Sequence, residues 1–518
     1  MKKNGLIKST GIVTLNTFLS RILGLVRDLL IANFFKINHN VDGFFIAFRI
    51  PNLFRRLVAE GSLTISFIPV YTEYLEKKTA EEALELAQKT FSLLLVVLTA
   101  VVSVGIVFSP QIVRLFAWGI EDNKVLLLIT GMNRYLFLYL FQVGVVAFAM
   151  GYLNSHRHFF APAFSPVLLN VGFITGALWF RKYFAEELWG LVAGVLLGGL
   201  LQMLLQIPFM FREKFRFRFS IDLKHPGIRK IFKMIVPALF GIAVYQINIL
   251  ISTIYATTCE EGSVSYLYYC DRLTELVLGV FIISIGNVIL PEMSRCSAHD
   301  NVERLKVLFS KSVTASLILA IPAAFILYSI GYPILSLLFM RGNFSHDDAM
   351  KTYGALKYAA FIIPSLAVLR ITTPTFYSLK DTLTPVLTSC VALISHSILG
   401  YFLKNTEMSF SGLSLSNSIA AFLQTVILVF LLRKKIGRIN LKYLTVSIFK
   451  IVTASCIMTA VVLKIAGLIN WDTASLYSKM LYMSYIVISG GAAYFAVCFI
   501  LRMEEIVGIK NALMKKLH

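Results

Sequence analysis

The chain has 518 residues, of which 57% are hydrophobic and only 15% are charged, and its mean hydropathy is +0.75. A water-soluble protein of this length would rarely be so apolar, and the long apolar segments repeat along the sequence. They predict an all-α polytopic membrane protein. The formal net charge of +21 does not indicate nucleic-acid binding, because most basic residues cluster at the ends of apolar segments.

The apolar segments predict about fourteen transmembrane helices, with both chain termini in the cytoplasm. The segments 212–233 and 433–442 are rich in Lys and Arg, whereas the loop 259–263 on the alternate side contains two glutamates. Because basic loops stay in the cytoplasm, this alternation fits an even number of spans. The predicted spans are 10–33, 42–74, 91–117, 126–153, 161–181, 187–211, 229–256, 264–294, 309–330, 351–378, 384–403, 411–432, 446–468 and 479–501.

The first two predicted helices carry charges where a membrane makes them costly. Arg21 lies about 15 Å into the first helix, near the middle of a hydrocarbon layer of roughly 30 Å. A charge there costs at least ~2.5–3.5 kcal/mol unless it faces water, a partner or a ligand. The polar residues of interest in these helices are Ser20, Arg21, Arg27, Asp28, Asp42, Arg49, Arg55, Arg56 and Glu60.

Two interpretations of these residues stay open. In the first, they line a cavity that holds an anion, because the cations outnumber the carboxylates in this stretch. In the second, they form only ion pairs, Arg27 with Asp28 and Arg55 or Arg56 with Glu60. The sequence favours the first interpretation, and Pro51 and Gly61 predict that the second helix is kinked or broken.

An internal repeat divides most of the chain into two halves. Five short matches recur in order at an offset of 219–223 residues, among them Pro110 with Pro333, Gly190 with Gly412, and Gln202 with Gln424. The repeat holds six spans, an even number, so its halves should be parallel. The predicted domains are an N-lobe at 1–218, a C-lobe at 222–437, two further helices at 446–501 and a cytoplasmic tail at 502–518.

The second lobe contributes charges of its own. Asp271, Arg272 and Glu275 lie in the eighth predicted span, and Arg370 lies in the tenth. Arg272 and Glu275 are three residues apart and could simply form an ion pair. If both lobes face one cleft, four arginines can converge there: Arg21, Arg27, Arg55 and Arg272.

The sequence lacks the motifs of a nucleotide-driven or metal-dependent protein. It contains no Walker A loop, no Gly-rich dinucleotide motif and no HExxH. The six cysteines have no metal-ligand spacing, and we interpret them as small apolar side chains. We therefore expect no cofactor and no metal site, and an ion gradient or the membrane potential as the source of energy.

Several motifs together resemble the MurJ (MviN) family of bacterial lipid II flippases, in the multidrug/oligosaccharidyl-lipid/polysaccharide exporter superfamily. The resemblance covers nearly the whole chain and is strongest near its start. The motifs are SRILGLVRD at 20–28, DGFFIAFRIPNLFRR at 42–56, AEG at 59–61, FIP at 67–69, GSVS at 262–265, YYCDR at 268–272 and LP at 290–291.

This resemblance implies two six-helix lobes around a central cationic cavity, with two C-terminal helices that form a groove for a lipid tail. It matches Arg21, Arg27 and Arg272 to cavity arginines implicated in holding the lipid diphosphate. Arg55, Asp42 and Ser265 match other functionally important positions. The implied substrate is lipid II, an undecaprenyl-diphosphate-linked disaccharide-pentapeptide, moved by alternating access from the cytoplasmic to the periplasmic leaflet of the inner membrane. We expect a monomer, with cell-wall synthesis or division proteins as candidate partners.

One departure from the family and several alternatives bear on this hypothesis. Some relatives carry a sodium site in the eleventh span, where this chain has serines and His396 but no carboxylate. The resemblance therefore does not identify a coupling ion. The alternatives are an exporter of another polyprenyl-linked glycan or of a drug, a membrane enzyme acting on lipid-linked sugars, and a scaffold for cell-wall assembly. An enzyme would need convergent carboxylates or a nucleophile, and a scaffold would not explain cations at the midplane.

Overall fold

The computed structural model describes residues 3–57, 64–279, 292–293, 295–297 and 301–503, and all regular secondary structure in these ranges is helical. This confirms the predicted all-α class. Within the same ranges, nine helices are long and apolar enough to cross a membrane, or ten if one pair bent by 43° counts as a single span. The full count of fourteen spans stays a prediction.

The chain divides into two compact units, Met1–Val264 and Ser265–His518. The helices of the first unit are α1 (Lys3–Phe34), α2 (His39–Arg55), α3 (Thr64–Lys77), α4 (Ala80–Val107), α5 (Ser109–Phe116), α6 (Asn123–Ser155), α7 (Phe160–Leu178), α8 (Leu188–Arg212) and α9 (Pro226–Thr257), and α10 (Ser263–Val277) begins at its end. The helices of the second unit are α11 (Val302–Leu338), α12 (His346–Ala359), α13 (Ile362–Ser378), α14 (Leu383–Lys404), α15 (Ser411–Ile436), α16 (Leu441–Ala466) and α17 (Leu476–Ile500).

Close packing of α7 on α8 holds the first unit together near its candidate site. A Cβ atom added at Gly172 would lie 2.4 Å from the backbone oxygen of Gly194, so only hydrogen fits there. Small residues allow such close approach of helix backbones in membranes. Because α1 also packs on α7, this contact fixes the surface against which the polar face of α1 lies.

Two sets of polar contacts tie loop segments of the first unit to its helices, while the sidedness of the loops stays a prediction. In one set, Lys89 forms an ion pair with Asp222 at 3.0 Å, and Gln88 donates to the backbone oxygen of Arg216. In the other set, the backbone N–H of His39 donates to Glu261. The first set includes the basic segment 212–233, which the sequence predicts to lie in the cytoplasm.

The second unit is built around α11, which packs against α12, α13 and the C-terminal helix α16. A non-helical backbone at Ile330 (φ −121°, ψ 23°) kinks α11 three residues before Pro333, as expected of proline in a helix. The hydroxyl of Tyr494 in α17 donates to the backbone oxygen of Ile318 at 2.7 Å. The two C-terminal helices are thus part of the second compact unit.

Repeat-related residues have similar surroundings within their own units. Gly190 lies in the first turn of α8 and Gly412 in the first turn of α15, and each lies against the backbone of the segment before it. Gln202 donates to the backbone oxygen of Ser165, and Gln424 donates to the hydroxyl of Ser389. The superposition of whole lobes and the domain boundaries drawn from the repeat stay predictions.

An ion pair between the loop after α13 and the end of α15 gives a test of stability. Asp381 accepts hydrogen bonds from Lys435 at 2.6 Å and from the backbone N–H and the hydroxyl of Thr384. Burial raises the pKa of Asp381, but these hydrogen bonds outweigh it and lower the pKa to about 2. Since the folded pKa lies below the unfolded one, the stabilisation is present above about pH 4. It is lost as the pH falls toward 2.

We therefore expect Asp381→Asn to lower the free energy of unfolding by about 1 kcal/mol at pH 7, because Lys435 is partly exposed to solvent. Thermal unfolding in detergent at pH 7 and at pH 3 measures the effect, which should shrink at the lower pH. Glu303→Gln is the matched control. Glu303 pairs with Lys306, but its side chain is 82% exposed, so loss of this pair should change stability little. An unchanged melting temperature for Asp381→Asn at pH 7 would contradict the prediction.

Candidate functional site

A buried ion pair lies on the polar face of α1. The Nε and Nη2 atoms of Arg27 lie 2.9 and 2.8 Å from Oδ1 of Asp28, and both side chains are buried. The Nη1 atom of Arg27 donates to Oδ1 of Asn170 at 3.1 Å, and the guanidinium carbon lies 4.9 Å from the centre of the Phe173 ring. The guanidinium therefore bonds a carboxylate and an amide and stacks on an aromatic ring.

Asn170 of α7 joins this pair to the preceding turns of α1. Its Nδ2 atom donates to the backbone oxygen of Ser20 at 2.9 Å, and its amide lies against Gly24. Ser20, Gly24 and Arg27 thus share one face of α1, and that face lies against α7. Of the two ion pairs in the second interpretation, the pair of Arg27 with Asp28 is observed. Binding of a diphosphate by Arg27 stays a prediction.

Arg21 lies on a different side of α1 from this network. Its side chain is exposed, and it forms no hydrogen bond or ion pair with any residue that the structure describes. One turn earlier, Asn16 is buried, and its Nδ2 atom has no hydrogen-bond partner within the described part of the chain. A polar group in an apolar helix without such partners favours a site for water or an anion nearby.

Two arginines of α2 each donate a side-chain hydrogen bond to a neutral oxygen. Arg49 donates to the hydroxyl of Thr253 in α9 at 2.6 Å, and Arg55 donates to Oδ1 of Asn52 at 2.7 Å. Arg56 is half-buried at the end of α2, where its backbone N–H bonds to the last helical turn. Glu60, predicted as a pairing partner of Arg55 or Arg56, lies outside the described residues.

Asp42 fixes a loop rather than facing open space. It is buried in the first turn of α2, and its Oδ2 atom accepts the backbone N–H of Gly262 at 2.9 Å. Gly262 has a φ of +88°, which glycine adopts without strain. A hydrogen bond from a backbone N–H to a carboxylate is stronger than one to a neutral oxygen. Asp42 therefore holds the turn between α9 and α10 in place.

The second unit presents its own charged group on α10. Arg272 forms an ion pair with Glu275 at 2.9 Å, donates to the hydroxyl of Tyr268 at 3.2 Å and stacks on the Tyr268 ring. The pairing that the spacing allowed is therefore present, on a side chain that is 34% exposed. Asp271 and Arg370 are exposed, whereas Ser265 is fully buried. Since Arg272 and Arg21 belong to different units, their convergence stays a prediction.

The eleventh predicted span, α14, contains a buried histidine. His396 is fully buried, and its Nδ1 atom lies 2.9 Å from the hydroxyl of Ser416 in α15. Among the residues that the structure describes, no group of three or more His, Cys, Asp or Glu side chains is arranged to hold a metal ion. The absence of a cofactor stays a prediction.

Sequence reasoning did not identify four partners of these arginines: Asn170, Phe173, Thr253 and Tyr268. Each lies in a helix other than that of its arginine or one turn away, so spacing alone did not join them. Asn170 left the clearest signal, because it is an amide within the apolar segment of α7. Amides in such segments commonly bond across helices.

Comparisons with known proteins give one consistent result. The family model described as "Lipid II flippase MurJ" matches residues 31–486. The chain is 34% identical to "Probable lipid II flippase MurJ" of Bdellovibrio bacteriovorus, over 98% of this chain and 97% of that protein. It is 33% identical to the Vibrio cholerae protein of the same description, over 96% of each. "Lipid II flippase MurJ" of Burkholderia cenocepacia is 30% identical, over 81% of this chain and 82% of that protein.

Solved structures support the same fold. "Lipid II flippase MurJ, inward closed conformation" superposes with a TM-score of 0.81 at 24% identity, covering 95% of this chain and 99% of that one. An inward-facing multidrug resistance MATE transporter superposes with a TM-score of 0.70 at 12% identity, covering 81% and 94%. At these identities the likeness shows the fold alone.

Proposed function

Because the chain belongs to the MurJ family of lipid II flippases, we propose that it moves lipid II from the cytoplasmic to the periplasmic leaflet of the bacterial inner membrane. It is a multi-pass membrane transporter rather than an enzyme. The family membership indicates the substrate, and the arginines of α1, α2 and α10 supply the positive charges that its diphosphate needs.

The exposure of the Arg21 guanidinium is the observation that supports the proposed mechanism most directly. The guanidinium lies on an apolar helix and bonds to no described residue, so it is available to an anion. A lipid diphosphate carries several acceptor oxygens, and a guanidinium bonds two of them at once. We propose that Arg21 binds the diphosphate together with Arg27, Arg55 and Arg272, and that the diphosphate then competes with Asp28 and Glu275 for their partners.

Alternating access is the proposed way of moving this head group. A ligand shifts two conformations only by its differential affinity for them. The diphosphate supplies that difference by screening the repulsion between arginines. Transporters of the same fold have been solved in an inward-facing and in an outward-facing conformation, which supports a fold with two states. Movement of one charge through the full membrane field contributes about 2.3 kcal/mol per 100 mV.

The two C-terminal helices are proposed to carry the undecaprenyl tail. Large apolar side chains remain exposed on them, including Phe449 at 73% and Ile488 at 70%. Such a surface is suited to contact with lipid, because exposure of these side chains to water would be unfavourable. We place both chain termini in the cytoplasm, with the protein as a monomer and cell-wall synthesis or division proteins as its candidate partners.

The test of this function is translocation by the purified protein in liposomes. Three compounds are compared: lipid II, a different undecaprenyl-diphosphate-linked glycan and a cationic drug. We expect lipid II to cross at a rate well above that of empty liposomes, and the drug to cross no faster than without protein. Movement of the drug but not of lipid II would instead support a drug exporter.

A further inference from the structure

A cavity of about 320 Å³ lies between the start of α16 and the end of α17. Three cationic side chains line it: Lys442, Lys450 and Arg502. None of the three forms an ion pair or hydrogen bond with a residue that the structure describes, and no carboxylate is among the described residues of the lining. A concave surface with three cations among its described residues favours an anion.

Polar groups inside the cavity match an oxygen-rich ligand. Ser447, one helical turn before Lys450 on the same face of α16, is only 7% exposed and lines the cavity. Its hydroxyl has no hydrogen-bond partner within the described ranges. A hydroxyl in the lining that bonds to no described residue is available to a ligand or to water.

The backbone at both helix ends shapes this cavity. The side chain of Asn440 caps α16 by accepting the backbone N–H of Tyr443 at 3.0 Å. At the end of α17, Arg502 has a left-handed backbone (φ +50°), and its N–H bonds to the oxygen of Phe499. A left-handed residue at a helix end is unfavourable for a side chain other than glycine, yet here it brings Arg502 to the cavity.

The neighbouring surface distinguishes a lipid from a free ion. Val446 lies in the lining and is 47% exposed. Phe449, three residues further along α16, is 73% exposed, and Ile500, two residues before Arg502, is 74% exposed. A cationic cavity bordered by exposed apolar side chains fits a phosphate that is attached to a hydrocarbon chain. Inorganic phosphate would use the cations but would leave the apolar border uncovered.

We infer that this cavity binds the phosphate of a lipid in the cytoplasmic leaflet. The placement at that leaflet rests on the proposed orientation of the termini. Basic cavities between membrane helices on the cytoplasmic side commonly hold anionic lipid head groups. Two lipids share the required chemistry: an anionic phospholipid of the bilayer, and the undecaprenyl diphosphate portion of the substrate before it enters the transport path.

The test is retention of lipid by the full chain in native mass spectrometry. The purified protein is titrated in parallel with phosphatidylglycerol, phosphatidylcholine of the same chain length, undecaprenyl diphosphate and inorganic phosphate. The cavity variant is Lys450→Gln with Arg502→Gln. The control variant is Lys434→Gln with Arg438→Gln, which removes the same charge from exposed residues of the basic segment 433–442 outside the cavity.

We expect the cavity variant to bind at least one of the two anionic lipids roughly tenfold more weakly than wild type, and the control variant to bind it like wild type. The lipid that shows this difference identifies the source of the phosphate. Ser447→Leu fills the cavity without changing its charge and should weaken the same lipid. Melting temperatures confirm that each variant is folded.

Equal weakening in the cavity and control variants would overturn the inference, because general surface charge would then explain binding. Equal retention of phosphatidylcholine would overturn it as well, and so would retention of inorganic phosphate without either anionic lipid. The measurement is made in detergent without transport. Its failure therefore leaves the proposed function standing, and a failure of lipid II translocation leaves this result standing.

Discussion

Replacement of Arg21 by alanine is expected to lower lipid II translocation by roughly a hundredfold, while protein abundance and melting temperature stay unchanged. The guanidinium contacts no described residue, so its removal breaks no internal contact. The loss expected for a bidentate, charge-assisted pair of hydrogen bonds is about 2–3 kcal/mol, which corresponds to this factor. Translocation in liposomes and binding of the purified lipid measure it.

Two further variants sharpen this prediction. Arg21→Lys should recover translocation only in part, because the charge returns without the planar fork. Arg114→Ala, which removes an exposed arginine from α5, is the matched control and should behave like wild type. Arg21, Arg27, Arg55 and Arg272 are also replaced by alanine, singly and together. If none of these variants changed binding or translocation, the proposed binding of the diphosphate by these arginines would be wrong.

Replacement of Asp28 by alanine is expected to have the largest effect on stability. It leaves the buried guanidinium of Arg27 without its carboxylate, and loss of one partner of a buried ion pair typically costs about 3–5 kcal/mol. Asn170 and Phe173 remain, but neither carries a compensating charge. A strongly reduced yield of folded protein and a lower melting temperature are the expected results.

A neutral double variant separates the structural role of Arg27 from binding. Arg27→Met with Asp28→Asn removes both charges, so we expect stability to return to near that of wild type. We expect translocation to remain lost, because the proposed function assigns Arg27 to the diphosphate. Full translocation by the folded double variant would show that Arg27 acts only by pairing with Asp28.

The sequence predicted the helical class and the positions of the apolar segments because hydrophobic length alone determines them. It left open how Arg27 is bonded, because the ion pair with Asp28 was one of two interpretations. Adjacent residues on a helix point in different directions, which disfavours contact between their side chains. The long side chain of Arg27 nevertheless reaches the carboxylate of Asp28, the next residue, because Asn170 and Phe173 of α7 hold the guanidinium beside it.

The boundary between the two compact units shows a second limit of sequence reasoning. The repeat places the segment of α9 in the second lobe, whereas α9 packs against α3, α4 and α5 of the first compact unit. A repeat records which segments resemble each other, and packing depends on which surfaces meet. Both descriptions can hold for one chain, and superposition of the repeated halves stays a prediction.

The central claim is that arginines recognise the diphosphate of the lipid, and one binding measurement tests it most directly. Undecaprenyl diphosphate and undecaprenyl monophosphate are titrated against wild type and Arg21→Ala. We predict that wild type binds the diphosphate at least tenfold more tightly than the monophosphate and that Arg21→Ala loses most of this preference. An equal preference in both proteins would contradict the claim.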